Sequence, residues 1–142
     1  AKGQPAQQEK FNRVHRLEFF AYFSDTELCD IISAGDWILT EVGDPIILEG
    51  DETPPLYVLL DGEVTLTRGN PEIVKLGSGD CFGEMGIVPC RHRTATIEAS
   101  TAVTALKLRS SIIERASINC QLLFQRKFLY TLIERLEYST DK

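Results

Sequence analysis

The sequence predicts a mainly β fold with flanking helices: an eight-stranded antiparallel β-roll of the jelly-roll type, preceded and followed by helices and interrupted by one short helix. Three observations predict it. Between residues 36 and 109, short strand-type runs recur about every eight to twelve residues, separated by glycine-bearing turns. Before them, Ser24-Asp25-Thr26-Glu27 has the form of a helix start, with Ser24 able to cap and Glu27 three residues later completing a capping box. After them, apolar residues from Ile118 to Tyr138 keep a helical period.

The elements follow in order. Residues Ala1 to Glu9 are small and polar and, with Lys10, read as a disordered or added tail. A single domain then occupies residues 11–138. Phe11, Val14, Leu17, Phe20 and Ala21 predict one or two short helices; Leu28, Ile31 and Ile32 form the buried face of the next helix, which Gly35 ends. Strands are predicted at Trp37–Thr40, Ile46–Leu48, Leu56–Leu60, Glu63–Arg68, Ile73–Leu76, Thr94–Ala99 and Val103–Leu108. Asp61-Gly62, Gly69-Asn70-Pro71 and Gly77-Ser78-Gly79-Asp80 supply the turns between them. Ser110 and Ser111 open a short helix with a serine as cap. In the last helix, Ile118, Leu122, Leu123, Phe128, Leu129, Leu132, Ile133 and Leu136 form the apolar stripe, and residues 139–142 are a tail.

Composition narrows the function. The 142 residues suffice for one ordinary domain, and 43% hydrophobic with 25% charged residues is globular rather than disordered. The net charge of −6 argues against a general nucleic-acid surface, which requires clustered lysine and arginine. Four cysteines show no C-x-x-C pair or zinc spacing, so reduced thiols in a cytoplasmic setting are expected. Two histidines, His15 and His92, far apart in sequence, make no metal cluster. No G-x-S-x-G motif supports a nucleophile, and no apolar run reaches the length of a membrane span. An enzyme is not expected, and neither is a cofactor.

The stretch from Phe82 to Ile97, FGEMGIVPCRHRTATI, carries the chemistry. Gly83 and Glu84 precede a short apolar run, Met85 to Val88, that Pro89 halts; the chain then returns into a strand with Arg93 at its start. A helix N-terminus presents unpaired N–H groups and the positive end of a dipole, which suits a phosphate. A guanidinium brought to the same point adds a planar charged donor. Glu84 would repel a phosphate, so its carboxylate fits a sugar hydroxyl instead. Phosphate plus sugar means a nucleotide.

In this context the chain resembles the cyclic nucleotide-binding domains, the family of the catabolite activator protein, the regulatory subunits of cAMP-dependent protein kinase and cyclic nucleotide-gated channels. The likeness runs from about Leu17 to Leu136. It rests on the cassette Phe82-Gly83-Glu84-Met85-Gly86-Ile87-Val88, a loop Pro89-Cys90-Arg91-His92, then Arg93-Thr94-Ala95, together with Gly50, Gly62 and Gly79 at the roll's turns. The resemblance implies that Glu84 binds the ribose 2′-hydroxyl and that Arg93, rather than Arg91, pairs with the cyclic phosphate. The amides of Met85, Gly86 and Thr94 would complete the cradle that Gly83 opens. Ala95 would leave room for the ligand, and Leu66 and Ile73 would touch the base.

The ligand so implied is cAMP or cGMP. Thr94 resembles the residue whose hydroxyl holds guanine in channels and cGMP-dependent kinases, whereas the FFAYFSDTELCDIIS segment resembles bacterial members and favours cAMP. The C-terminal helix would relay binding as a lid. An effector is expected elsewhere in a longer chain, because no basic recognition helix or membrane span lies in this segment. The helix stripe Leu122, Leu129, Leu132 and Leu136 suits a homodimer seam. The alternative is a β-roll without ligand response that serves as an interaction or dimerisation module.

Overall fold

A computed structural model describes residues 5–47, 55–68, 72–83 and 96–140. The chain opens with helix α1 (Gln7–His15), a 3-10 turn (Glu18–Phe20) and helix α2 (Asp25–Ala34). Eight strands follow among the described residues: β1 (Asp36–Thr40), β2 (Pro45–Ile47), β3 (Leu56–Asp61), β4 (Val64–Arg68), β5 (Glu72–Leu76), β6 (Cys81–Gly83), β7 (Thr96–Ala99) and β8 (Val103–Leu108). Helices α3 (Ser110–Arg115) and α4 (Ile118–Thr140) close the fold. The strands form two antiparallel sheets, β1-β8-β3-β6 and β2-β7-β4-β5, so the mainly β roll with flanking helices is the fold observed.

The apolar run of β3 explains the layering. Leu56 to Leu60 are all buried, which a strand with one wet face would not allow. Alternation splits them between two cores. Leu56, Val58 and Leu60 join Leu106, Leu108 and the helices, whereas Tyr57 and Leu59 join Val64, Phe82, Ile97, Val103 and Ala105 between the sheets. The β1-β8-β3-β6 sheet is therefore the middle layer, with helices on one face and the second sheet on the other.

Capping decides the helix ends. The capping box of α2 forms: Glu27 N donates to Ser24 Oγ at 3.1 Å, and Ser24 N donates to Glu27 Oε1 at 2.9 Å. Gly35 ends that helix with extended rather than left-handed backbone. Its lack of a side chain keeps the approach to β8 close, because a Cβ there would stand 2.8 Å from Leu108 Cδ2 and force that side chain to shift. Helix α4 starts on Ser117, whose Oγ accepts from Cys120 N at 3.1 Å.

Several expectations need correction. Residues 7–10, assigned to the tail, form the start of α1, held by Glu9 in the first turn and by Gln8 bonded to Asn12 one turn on. At the other end, α4 continues to Thr140, so residues 139 and 140, expected in a tail, belong to the helix. No serine caps α3; its N-cap position is Arg109, without a side-chain bond. Strand β6 went unpredicted because three residues carry too little pattern, and it exists by pairing with β3.

The predicted stripe of α4 is also divided differently. Its buried face is Cys120, Phe124 and Phe128, which pack on Phe19, Phe20 and Phe23. Ile118, Leu122, Leu129 and Ile133 are exposed. At 100° per residue these four positions lie opposite the buried face, so α4 carries two apolar sides.

Candidate functional site

The predicted cassette leaves the middle sheet at β6 and enters the second sheet at β7. Strand β6 pairs with β3, Gly83 lying opposite Leu56 and Phe82 opposite Tyr57. Strand β7 lies inside its sheet, between β2 and β4. Glu84, Met85, Gly86, Arg93, Thr94 and Ala95 lie outside the described residues; Gly83 marks their beginning and Thr96 the residue after their end.

Both ends are anchored in one apolar cluster. Phe82 is 4% exposed and stacks on Tyr57, with ring centroids 5.1 Å apart and planes 9° apart. Ile97, 2% exposed, belongs to the same cluster as Phe82, Leu59 and Ala105.

The ladder places the base-contact candidates beside the cassette's exit. Leu66 on β4 faces Ile97 on β7 and Val74 on β5, and it is half-buried against the cluster between the sheets. Ile73 stands one row nearer the cassette, opposite Thr67, which in turn faces Thr96. Both rows adjoin the exit. The position across from Leu66 is 74, and position 73 is paired with 67. Periodicity could not reveal this, since register depends on which residues the turn between β4 and β5 leaves facing each other.

Sequence reasoning also missed a polar junction on the helical side. The Glu27 carboxylate receives Ser24 N within α2, and across the fold Ser117 Oγ at 3.2 Å and Asn119 Nδ2 at 3.0 Å. The Ser24 backbone bond, followed by the Asn119 amide, holds its pKa down to about 2. Cys120 next to it is buried, and that burial pushes its thiol up. Among the described residues no group of three or more histidine, cysteine or acidic side chains could hold a metal. Among those same residues no helix is long and apolar enough to cross a membrane.

Comparison with known proteins places this geometry. The family described as "Cyclic nucleotide-binding domain" matches residues 40–117. The cGMP-dependent protein kinase of Toxoplasma gondii is 30% identical over 93 residues, covering 66% of this chain and 9% of the kinase. That of Plasmodium berghei is 31% identical over 84 residues, covering 59% of this chain and 10% of the kinase. The chain thus spans about a tenth of the length of these relatives. Among solved structures, the sensor domain of the transcriptional regulator DNR from Pseudomonas aeruginosa superposes with a TM-score of 0.75 at 19% identity, covering 96% of this chain and 94% of that one. The regulatory domain of Toxoplasma gondii PKA with cAMP gives 0.70 at 18% identity, covering 85% and 49%. At such identities the structures speak for the fold alone. The family match spans more than half of the chain and includes both stems of the cassette and all of 84–95. This chain belongs to the cyclic nucleotide-binding domain family.

Proposed function

We propose that the chain is a cyclic nucleotide sensor that binds cAMP or cGMP through residues 82–97 and relays occupancy through α4. The observation that carries this reading is the F-G-E to R-T-A cassette itself, standing where its two stems share one apolar cluster. Glu84 would accept the ribose 2′-hydroxyl and Arg93 would pair with the phosphate. Gly83 and the amides of Met85, Gly86 and Thr94 would line the cradle, with Ala95 leaving room beside it. Leu66 and Ile73 would supply apolar contacts to the base. The base is open between two supports. Thr94 and the cGMP-dependent kinases point to cGMP, and the cAMP-bound neighbour points to cAMP, which we take as the first ligand to test.

The relay would run through the helices after the roll. Capture of a phosphate would draw the segment after Phe82 against Ile112 and Ile113 of α3, and α4 would move over the base. A ligand can drive this only by its different affinity for the two arrangements. The domain acts by binding, and the kinases it resembles carry the effector in the rest of a much longer chain; an effector of some kind is proposed here too, in a cytoplasmic setting. A second copy is the proposed occupant of the exposed side of α4. Ile118, Leu122 and Leu129 lie on that side, Leu132 and Leu136 continue the series in the sequence, and a helix apolar on two opposite sides has a use for both.

Titration calorimetry with cAMP and cGMP tests the sensor. The wild-type chain is expected to bind one of them well below millimolar concentration. Arg93→Ala should weaken binding by about 2–5 kcal/mol, the cost of truncating one partner of a buried charge pair. Undiminished affinity in that variant would refute the assignment. Absence of binding by the wild-type chain would leave the interaction-module reading.

A further inference from the structure

The densest polar cluster among the described side-chain hydrogen bonds lies away from the cassette, where α2 meets the start of α4. Glu27 is the third residue of α2, and its carboxylate accepts from Ser24 N at 2.9 Å, Asn119 Nδ2 at 3.0 Å and Ser117 Oγ at 3.2 Å. The last two partners are 92 and 90 residues away in sequence. Ser117 works in both directions: its hydroxyl donates to Glu27 while accepting from Cys120 N, the bond that starts α4. Gln121 Nε2 closes the corner from the other side, donating to the carbonyls of Glu114 and Ala116 at 3.1 and 2.9 Å and so tying the end of α3 to the first turn of α4.

The location is electrostatically apt. A carboxylate in the first turn of α2 and beside the first turn of α4 meets the positive ends of two helix dipoles at once. Charge-assisted bonds of this kind are about twice as strong as neutral ones. A cleft of about 310 Å³ opens next to the cluster, lined among others by Ile31, Ile112, Ser117 and Cys120, and the polar bonds join this corner to α2 alongside the packing of Cys120 in one core cluster with Ile31 and Ile113. Further along, α4 is held differently, by Phe124 and Phe128 against the aromatic residues of the N-terminal segment.

We infer that Glu27 is a positioning residue for the lid: it pins the first turn of α4 to α2, so that α4 moves about a fixed pivot at Ser117–Cys120. This rests on the reading of α4 as a lid over a cyclic nucleotide. A lid on a fixed pivot returns to the same closed position, whereas an unpinned one closes loosely and lets the ligand leave. Removing the pin therefore raises the dissociation rate and leaves the association rate, set by encounter with the cassette, nearly unchanged.

Three variants separate the pin from ordinary helix capping. Glu27→Ala removes the cap and the pin together. Asn119→Ala removes only a bond across the fold. Ser24→Ala removes a bond of the α2 cap and leaves Ser117 and Asn119 on the carboxylate. In nucleotide-free protein, Glu27→Ala and Asn119→Ala should raise amide exchange of residues 120–123 about tenfold, the worth of one bond to a charged group, and Ser24→Ala should not. Stopped-flow release of a fluorescent cyclic nucleotide should show the same ranking, with dissociation about tenfold faster in the first two. Glu27→Gln, which keeps one acceptor oxygen, should recover part of the loss.

Unchanged exchange in Glu27→Ala would overturn the pin. Raised exchange with unchanged release would overturn its role in the lid, and equal effects from Ser24→Ala would reduce it to a cap. Failure of the wild-type chain to bind nucleotide would overturn the lid role together with the sensor reading, while the exchange data would still decide the pin.

Discussion

Phe124 is the side chain whose removal should most loosen α4 from the domain. It is 0% exposed, and its ring centroid lies 5.2 Å from Phe23, 5.8 Å from Phe19, 6.0 Å from Phe128 and 6.4 Å from Phe20. Four neighbouring rings cannot collapse into the space a phenyl group vacates, so Phe124→Ala should lose about 3–5 kcal/mol, the transfer and cavity terms combined. Each edge-to-face or stacked pair adds about 0.5–1.5 kcal/mol that an aliphatic side chain would not replace, so Phe124→Leu should cost less than the alanine change but remain measurable. For 142 residues the unfolding entropy is about 0.3 kcal/mol/K, which converts the alanine loss into a fall of about 10–17 °C in Tm. Thermal and urea unfolding followed by circular dichroism would measure it, with Gln125→Ala, exposed on the same helix, as the control expected within about 0.5 kcal/mol of wild type. A loss below about 1 kcal/mol, or one equal to the control, would refute the aromatic cluster as what holds α4.

Three other outcomes follow from single features. Gly62 has φ +98, and a Cβ on it would run into the carbonyl oxygen of Ala102, so Gly62→Ala should cost more than about 1 kcal/mol. Gly43, φ +87 with nothing near, should lose less on the same change, and equal losses in urea melts would contradict the steric argument. Glu27 is held below its ordinary 4.5 at about 2, first by the Ser24 backbone bond and then by Asn119. A depressed carboxylate contributes stability that is complete above its unfolded value and lost as pH falls through its folded one, so wild type should weaken from about pH 4.5 towards 2 more steeply than Glu27→Gln. Parallel acid limbs in urea titrations would count against this. Sedimentation equilibrium should find wild-type chains pairing and Leu122→Arg/Leu129→Arg monomeric; a wild-type monomer at high concentration would remove the second copy from α4.

What the amino-acid sequence determined by itself was local. The Ser24–Glu27 capping box formed because both partners lie within one turn, and the strand from Val103 to Leu108 appeared with the predicted bounds because period two is a property of neighbours. The cassette was legible for the same reason, as contiguous residues whose types suit a phosphate and a sugar; Glu84 and Arg93 themselves lie outside the described residues. Tertiary structure decided what depends on distant partners. It divided β3 between two cores, set Leu66 across from Val74, turned Phe124 rather than Leu129 inward, and gave Glu27 a second task with Ser117 and Asn119. A pattern of apolar and polar residues states that a face will be buried, but which face meets which neighbour is a matter of packing, and a carboxylate 90 residues from its hydroxyl donor leaves no periodic trace in the chain.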